Sequence, residues 1–346
     1  MKMNVAQQLR AEAAKRILIK DGAYGTQVQN RRLSEADYRG DLDLGRDQKG
    51  NNDLLNLTRP DIVGSICQAF ADAGAELLAT NSFNAPRISQ ADYGAEHLVR
   101  EINVAAARII AEVADREAQK DGKKRYVVGA LGPTNKTLSL SPNVNDPGYR
   151  EIDFDTLSDV YVEQIEGLVE GGAEIVLIET VFDTLNAKAA IHAAGRVDRD
   201  LPIMLSMTIT DLSGRNLSGH SIEAFWASVR HARPLSIGLN CSFGAAQLRA
   251  HVAALSAVAD TLIMAYPNAG LPNDLGEYDE GPAETAAQVR EWCEQGIVNI
   301  VGGCCGTTPA HIAAIAEAAK GFVPRRIAEP RRQTLLAGIE PMVLAA

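Results

Sequence analysis

The stretch Gly171-Gly172-Ala173-Glu174-Ile175-Val176-Leu177-Ile178-Glu179-Thr180 carries the pattern that decides the fold. Two glycines follow a stretch with helical spacing, and a short apolar, partly β-branched run comes next and stops at polar residues. A glycine just past a helix ends it, and a short, continuous apolar run is typical of a buried parallel strand. The same order recurs at residues 73–81 and 296–303. The repeated unit therefore predicts helices that alternate with buried strands.

Eight such apolar runs occur along the chain, and stretches with helical apolar spacing lie between them. The runs are residues 17–20, 77–80, 126–131, 175–179, 203–208, 236–240, 262–266 and 298–302. Strands that alternate with helices form parallel βαβ units, and eight of these units close a barrel. No G-x-G-x-x-G sequence follows the first run, which argues against a dinucleotide-binding sheet. The sequence therefore predicts an α/β fold, a single-domain (β/α)8 TIM barrel.

The remaining segments are predicted to flank or decorate this barrel. Residues 1–16 are predicted to form an N-terminal leader helix, and residues 17–320 form the barrel domain. Residues 321–346 contain Pro324, Pro330 and four arginines, a composition typical of a linker-like tail. Residues 131–149 form a long connection rich in Pro, Asn, Ser and Thr after the third run, and a loop of that length is usually functional.

Composition excludes several classes of protein. The 34 Lys and Arg against 44 Asp and Glu give a net charge of −10, which argues against a nucleic-acid partner or an anionic membrane surface. No apolar run is long enough to span a membrane, and the N-terminal residues show no secretory signal. Five cysteines, an odd number, do not form a disulfide framework. We therefore predict a protein of the reducing cytosol, free of membrane contacts.

The active site of a parallel barrel is built at the carboxyl ends of its strands. Small, polar or cysteine residues follow the predicted strands at these ends: Asp21-Gly22, Thr80-Asn81, Glu179-Thr180, Asn240-Cys241, Asn268 and Gly302-Gly303-Cys304-Cys305. Three of the five cysteines thus fall on one rim. The other two, Cys67 and Cys293, lie inside helical patterns and are predicted to be buried packing residues.

Three interpretations of Cys241, Cys304 and Cys305 remain open from the residues alone. They are packing cysteines, or the vicinal pair forms a strained disulfide, or the three form a zinc site. Three thiolates with one open position are typical of a zinc ion that coordinates a substrate, because closed structural sites use four protein ligands. The rim position favours this third interpretation.

Two other features of the rim also allow two interpretations each. Glu179 ends an apolar run, so its carboxylate either serves a ligand in the barrel mouth or pairs with a basic residue from the next loop. The turn Asp21-Gly22-Ala23-Tyr24-Gly25-Thr26 either presents backbone amides to an anion or is a plain βα turn. The six histidines form no metal-binding pattern, and only His220 lies in a loop that could reach the mouth.

These rim motifs together resemble the homocysteine S-methyltransferase family. The resemblance is carried by residues 21–26, 80–83, 178–180, 238–241 and 302–306, and the last of these, Gly-Gly-Cys-Cys-Gly, is specific to the family. Within it the chain is most similar to the N-terminal homocysteine-binding module of cobalamin-dependent methionine synthase, a similarity strengthened by residues 129–136 and 265–272. The resemblance covers about residues 17–319.

The resemblance implies one Zn²⁺ bound through Cys241, Cys304 and Cys305, with the homocysteine sulfur as fourth ligand. The metal would deprotonate this thiol, which is otherwise mostly protonated at neutral pH, and four thiolates on Zn²⁺ give 2 − 4 = −2, so the sulfur stays electron-rich. The implied substrate contacts are Glu179 for the amino group, the amides of Asp21, Gly22, Ala23 and Tyr24 for the carboxylate, and Asn240 and Asn268 in the pocket wall.

The resemblance also implies partners. The expected reaction forms methionine from homocysteine with a methyl group from methylcobalamin or 5-methyltetrahydrofolate, so folate- and cobalamin-binding modules or subunits are expected. The chain contains no cobalamin motif, and residues 335–341 resemble the start of a folate module, which predicts an excised module or a natural half-enzyme. One alternative is a self-sufficient transferase that uses betaine or S-methylmethionine, with its donor chosen by residues 131–149. Another is a non-catalytic barrel that docks to a partner.

Overall fold

The computed structural model describes residues 3–273, 276, 278–330 and 333–344. Eight parallel strands form one sheet: β1 (Leu18–Ile19), β2 (Leu77–Ala79), β3 (Tyr126–Leu131), β4 (Ile175–Val181), β5 (Ile203–Met207), β6 (Ser236–Gly244), β7 (Leu262–Asn268) and β8 (Ile300–Val301). From β2 to β8 each strand pairs with the next along the chain, and β8 pairs with β1. Lys20 and Leu77 form the remaining parallel bridge between β1 and β2. The sheet is therefore closed, and the predicted (β/α)8 barrel is confirmed.

Helices connect and surround the strands. They are α1 (Val5–Ala13), α2 (Tyr24–Gln29), α3 (Glu35–Arg39), α4 (Leu55–Thr58), α5 (Pro60–Asp72), α6 (Arg87–Gln90), α7 (Val99–Asp121), α8 (Phe154–Gly171), α9 (Thr184–Val197), α10 (Ile222–Val229), α11 (Ala245–Val258), α12 (Pro282–Glu294) and α13 (Pro309–Ala319). Helix α8 is followed directly by Gly172, which has a left-handed backbone with φ of 110° and ends the helix, as the opening glycine pattern predicts. Among the described helices, none has both the length and the apolar composition that crossing a membrane requires.

Two layers of buried side chains hold the barrel together, because successive residues of a strand point to opposite faces. The outer layer packs against the helices and includes Val127, Val176, Leu205, Ile237 and Ile263. The inner layer fills the barrel and includes Leu18, Leu77, Val128, Leu177, Met204, Met264 and Ile300. Leu9 and Ala13 of α1 join this inner layer, so α1 closes the end of the barrel opposite the predicted site.

The tail beyond the last barrel helix contains two strands of its own. Strands β9 (Thr334–Ala337) and β10 (Pro341–Leu344) form an antiparallel hairpin. The hairpin touches the barrel where the Ser221 amide donates to the Ile339 carbonyl oxygen at 2.9 Å. Arg331, Arg332 and the chain ends at residues 1–2 and 345–346 lie outside the described residues.

Arg325 binds the start of this tail to the end of α11 and the segment between α11 and β7. Its buried guanidinium donates to the carbonyl oxygens of Ser256, Ala259 and Thr261, at 2.7, 2.5 and 2.8 Å for the closest contacts. Asn299 in turn donates to the Arg325 carbonyl oxygen at 2.7 Å. The chain just past residue 320 is thus held against the barrel, because one charged side chain satisfies three carbonyl groups.

We expect Arg325→Met to lower the free energy of unfolding by about 2 kcal/mol, because it leaves three carbonyl groups without their charged donor. Urea denaturation monitored by circular dichroism measures this change. Arg326→Met is the matched control, since Arg326 is the next residue and is exposed. Equal stability of the two variants would contradict the anchoring role of Arg325.

Candidate metal and substrate site

The site is shaped by two irregularities in the sheet. The pairing of β4 with β5 shifts between Ile178 and Val181, and the pairing of β6 with β7 shifts between Asn240 and Gly244. Both strands consequently run beyond the predicted apolar stretches that end at residues 179 and 240. Bulges of this kind redirect side chains next to active sites. Glu179 and the cysteine after Asn240 both lie on these bulged segments.

The bulges contain backbone conformations that side chains other than glycine rarely adopt. Thr180, Cys241 and Ser242 have φ values of 59°, 61° and 62°. Thr180 is β-branched, so its left-handed backbone is especially unfavourable. Such strain persists only where surrounding contacts fix the backbone.

Asn240 supplies these contacts for Thr180. Its Oδ1 accepts hydrogen bonds from the Thr180 amide at 3.1 Å and from the Ser206 hydroxyl at 2.6 Å. Its Nδ2 donates to the Thr180 hydroxyl at 2.9 Å and lies 3.8 Å from the Cys304 Sγ. Asn240 itself is buried. It therefore connects β4, β5, β6 and the loop after β8 at one point.

The loop after β8 is held against β7. The Cys304 amide donates to the Pro267 carbonyl oxygen at 2.7 Å, and the Cys305 amide donates to Asn268 Oδ1 at 3.2 Å. Gly303 allows this turn, because a Cβ there would lie 2.5 Å from a carbon of Thr307. The Gly-Gly-Cys-Cys sequence thus places two thiols in front of the tip of β6.

The structure brings Cys241, Cys304 and Cys305 together. Their Sγ atoms all lie within 4.8 Å of one another, and those of Cys241 and Cys305 are 3.8 Å apart. A tetrahedral ion with Zn–S bonds of about 2.3 Å has edges of roughly 3.8 Å between its sulfur ligands. All three cysteines are free, which excludes the vicinal disulfide from this structure. The spacing and chemistry of the three donors fit one zinc ion.

The hydrogen bonds of the cluster favour a thiolate at Cys305, while the pKa values of the Cys241 and Cys304 thiols, which donate to that sulfur, are raised. The pKa of the Cys305 thiol is lowered, because the thiols of Cys241 and Cys304 and the hydroxyl of Tyr278 donate hydrogen bonds to its sulfur. Thiolate is the form that binds a metal. Cys67 and Cys293 instead lie buried among apolar side chains, and burial raises the pKa of each to about 12.

A cavity of about 380 Å³ opens in front of the three thiols. Of the predicted substrate residues, those that line it are Gly22, Ala23, Tyr24 and Glu179. Asp21, Asn240 and Asn268 are buried behind its wall, where Asn240 and Asn268 brace the cysteine segments. The Asp21 amide is also occupied, since it donates to the Leu77 carbonyl oxygen at 3.1 Å in the closure of the barrel.

Glu179 lies between the cavity and the barrel interior. Its Oε2 accepts a hydrogen bond from the Tyr266 hydroxyl at 2.9 Å. Burial raises the pKa of the Glu179 carboxyl, and the nearby Lys20 ammonium and the Tyr266 hydroxyl oppose that rise. Among the described residues no basic side chain lies within salt-bridge distance of Glu179. The structure therefore does not contain an ion pair between Glu179 and a basic residue from the next loop.

Several cavity residues were missed by the sequence reasoning. Lys20 ends an apolar run just as Glu179 does, so the same signal could have identified it. Tyr278 and Asp53 come from loops and a short 3-10 helix, where apolar spacing carries no information. The Asp53 carboxyl is buried, which raises its pKa to about 7. His220 contacts Ser218 and is absent from the described lining of the cavity.

Comparison with known proteins identifies the family. The family model for homocysteine S-methyltransferase matches residues 18–319. The chain belongs to the homocysteine S-methyltransferase family. It is therefore a methyltransferase, and the resemblance predicted from the rim motifs is confirmed at the level of this family.

Solved structures of the homocysteine methyltransferase MmuM from Escherichia coli have a similar fold. The oxidised form is 18% identical and has a TM-score of 0.69, over 87% of this chain and 95% of that one. The metallated form is 19% identical and has a TM-score of 0.68, over 88% and 96%. The carboxyl transferase domain of Rhizobium etli pyruvate carboxylase is 13% identical, with a TM-score of 0.51, and matches 94% of this chain and 48% of that chain. At these identities the similarity concerns the fold.

Proposed function

We propose that this family member is a zinc-dependent methyltransferase that converts homocysteine to methionine. We further propose that the methyl group comes from methylcobalamin held by a separate domain or protein, as in methionine synthase. The observation that carries the proposal is the cluster of three thiols, spaced for one tetrahedral ion and open to a cavity on its fourth side. Such an open position distinguishes a zinc site that coordinates a substrate from a structural one.

Cys241, Cys304 and Cys305 would hold the zinc. A bound Zn²⁺ supplies the charge that deprotonates the homocysteine thiol, so that its sulfur is a nucleophile at neutral pH. The chain contributes the geometry: the bulge of β6 and the Gly303 turn fix the three thiols before substrate arrives. Preorganised ligands of this kind lower the cost of positioning the reacting sulfur.

The rest of the cavity would orient the amino acid. Glu179 is placed to accept the substrate ammonium, and the amides of Gly22, Ala23 and Tyr24, at the start of α2, are placed to receive its carboxylate. The Asp21 amide does not share this role, because it closes the barrel. Asn240 and Asn268 are proposed to support the cysteines instead of touching the substrate. Methylation turns the thiolate into an uncharged thioether, which favours release of the product.

The proposal of a protein-bound cobalamin donor rests on the similarity of residues 129–136 and 265–272 to methionine synthase. Folate- and cobalamin-binding modules or subunits are the partners that it requires. The long loop after β3 lies at the same end of the barrel as the cavity, and its Val144 is 93% exposed. A reducing cytosol would keep the three thiols free.

The test is an assay of the zinc-loaded chain with homocysteine and one methyl donor at a time. We expect methionine from methylcobalamin, faster when a cobalamin-binding protein carries it, and none from betaine or S-methylmethionine. Turnover with either small donor alone would contradict the proposed donor. A zinc content well below one ion per chain in reduced protein would instead favour the non-catalytic docking alternative.

A further inference from the structure

At the base of the cavity lies a group of four side chains, here called the carboxylate floor: Lys20, Asp21, Glu179 and Tyr266. The Lys20 Nζ donates to Asp21 Oδ1 at 2.9 Å and lies 4.7 Å from the centre of the Tyr266 ring. The Tyr266 hydroxyl continues the contact to Glu179. Lys20 is only 4% exposed and Asp21 is fully buried.

The charges of the floor do not cancel. One ammonium and two carboxylates give 1 − 2 = −1, and buried charge without a partner is costly. Lys20 is salt-bridged to Asp21, so the uncompensated charge belongs to Glu179. Among the described residues lining the cavity, Lys20 is the sole cation. One further positive charge, approaching from the cavity, would therefore neutralise the carboxylate floor.

We propose that Lys20 is a positioning residue that compensates Asp21 and so reserves the charge of Glu179 for the α-ammonium of the substrate. This inference rests on the proposed function. The groups that face Glu179 are Lys20 and Asp21 directly after β1, Tyr266 from β7 and Cys305 from the loop after β8. Without the ammonium of Lys20, two neighbouring carboxylates would share a buried site, and such pairs cannot both stay ionised.

Lys20 can be removed without displacing the turn that follows it. Asp21 Oδ2 accepts an independent hydrogen bond from the Ala79 amide at 2.7 Å, and the Lys20 amide donates to the Val301 carbonyl oxygen whatever its side chain. A change at Lys20 therefore alters the charge of the floor more than the position of the Gly22–Tyr24 amides. This separation makes the proposal testable by ligands that differ only in charge.

The experiment compares homocysteine with 4-mercaptobutanoate, which has the same carbon chain, thiol and carboxylate but no amino group. Calorimetric titration of the zinc-loaded chain gives both affinities. In Lys20→Met we expect homocysteine to bind at least about tenfold more weakly, the size of a lost charged hydrogen bond. We expect the affinity for 4-mercaptobutanoate to change by less than about twofold. Equal losses for both thiols, or no loss for homocysteine, would overturn the proposal.

Two further variants separate the proposal from simple damage. In Glu179→Gln the preference for homocysteine should disappear, and adding Lys20→Met should change the preference by less than about twofold, since Lys20 acts through Glu179. A larger change in the double variant would show that Lys20 does not act through Glu179. Lys20→Arg retains the positive charge and can be used if Lys20→Met does not fold. We expect this variant to keep the preference for homocysteine over 4-mercaptobutanoate. Loss of the preference would contradict the charge argument. If neither thiol binds the wild-type chain, the proposed function itself fails.

Discussion

Replacing Cys304 by serine is expected to lower the zinc content from one ion per chain to a small fraction and to abolish homocysteine binding. Serine offers a hydroxyl, which is not deprotonated at neutral pH and is a poor ligand for zinc beside thiolates. Two thiols then remain of the three that lie within 4.8 Å of one another. Metal analysis of reduced protein and calorimetric titration with homocysteine measure the two effects.

The barrel of this variant should stay folded, because Cys304 is only half-buried and packs against the inner layer without being one of its fully buried members. Cys293→Ser is the matched control: its thiol is buried in α12 and lies outside the cluster, so the zinc content should not change. Placing a hydroxyl there is expected to cost about 1 kcal/mol or more in stability. Full zinc content in Cys304→Ser would show that the assigned ligand set is wrong.

Replacing Asn240 by alanine is expected to lower the free energy of unfolding by about 3 kcal/mol, near 1 kcal/mol for each of three lost hydrogen bonds. It should also weaken homocysteine binding at least about tenfold, the equivalent of 1.4 kcal/mol, because Thr180 loses the contacts that hold its left-handed backbone. Glu179 precedes Thr180 directly, so relaxation of that backbone moves the carboxylate.

Ser206→Ala is the control for this effect. It removes one hydrogen bond to Asn240 Oδ1 and leaves both contacts between Asn240 and Thr180. We expect a loss of about 1 kcal/mol in stability and little change in homocysteine affinity. Denaturant unfolding and calorimetric titration of the two variants are compared directly. Equal weakening of binding in both would mean that Asn240 does not act through Thr180.

The barrel could be predicted because strand spacing and helix ends are local properties of the sequence. The eight apolar runs, each preceded or followed by small or polar residues, correspond to the eight strands. The lengths of β4 and β6 could not be predicted, because a bulge places residues such as Thr180 and Cys241 in conformations that no apolar pattern encodes. The tail hairpin was also missed, since its strands are largely exposed.

The sequence predicts which residues lie near the barrel mouth, but not what each of them contacts there. A polar residue at the end of a strand reaches the barrel mouth, but the sequence does not say whether it faces the cavity or braces its wall. Asn240 and Asn268 were expected in the wall of the substrate pocket, and the structure places both against the segments that carry the cysteines. Lys20 was passed over as part of a strand, although its charge is unusual in an apolar run.

The closure of the barrel has a consequence for its stability when a ligand is bound. Strands β1 and β8 have two residues each, so the seam between them contains few backbone hydrogen bonds. The proposed carboxylate-binding turn leaves β1, and the cysteine pair leaves β8. A ligand held by both would bridge this short seam, and ligands that bind only the folded form stabilise it by mass action. The seam between β1 and β8 would then open less readily as more of the protein binds substrate.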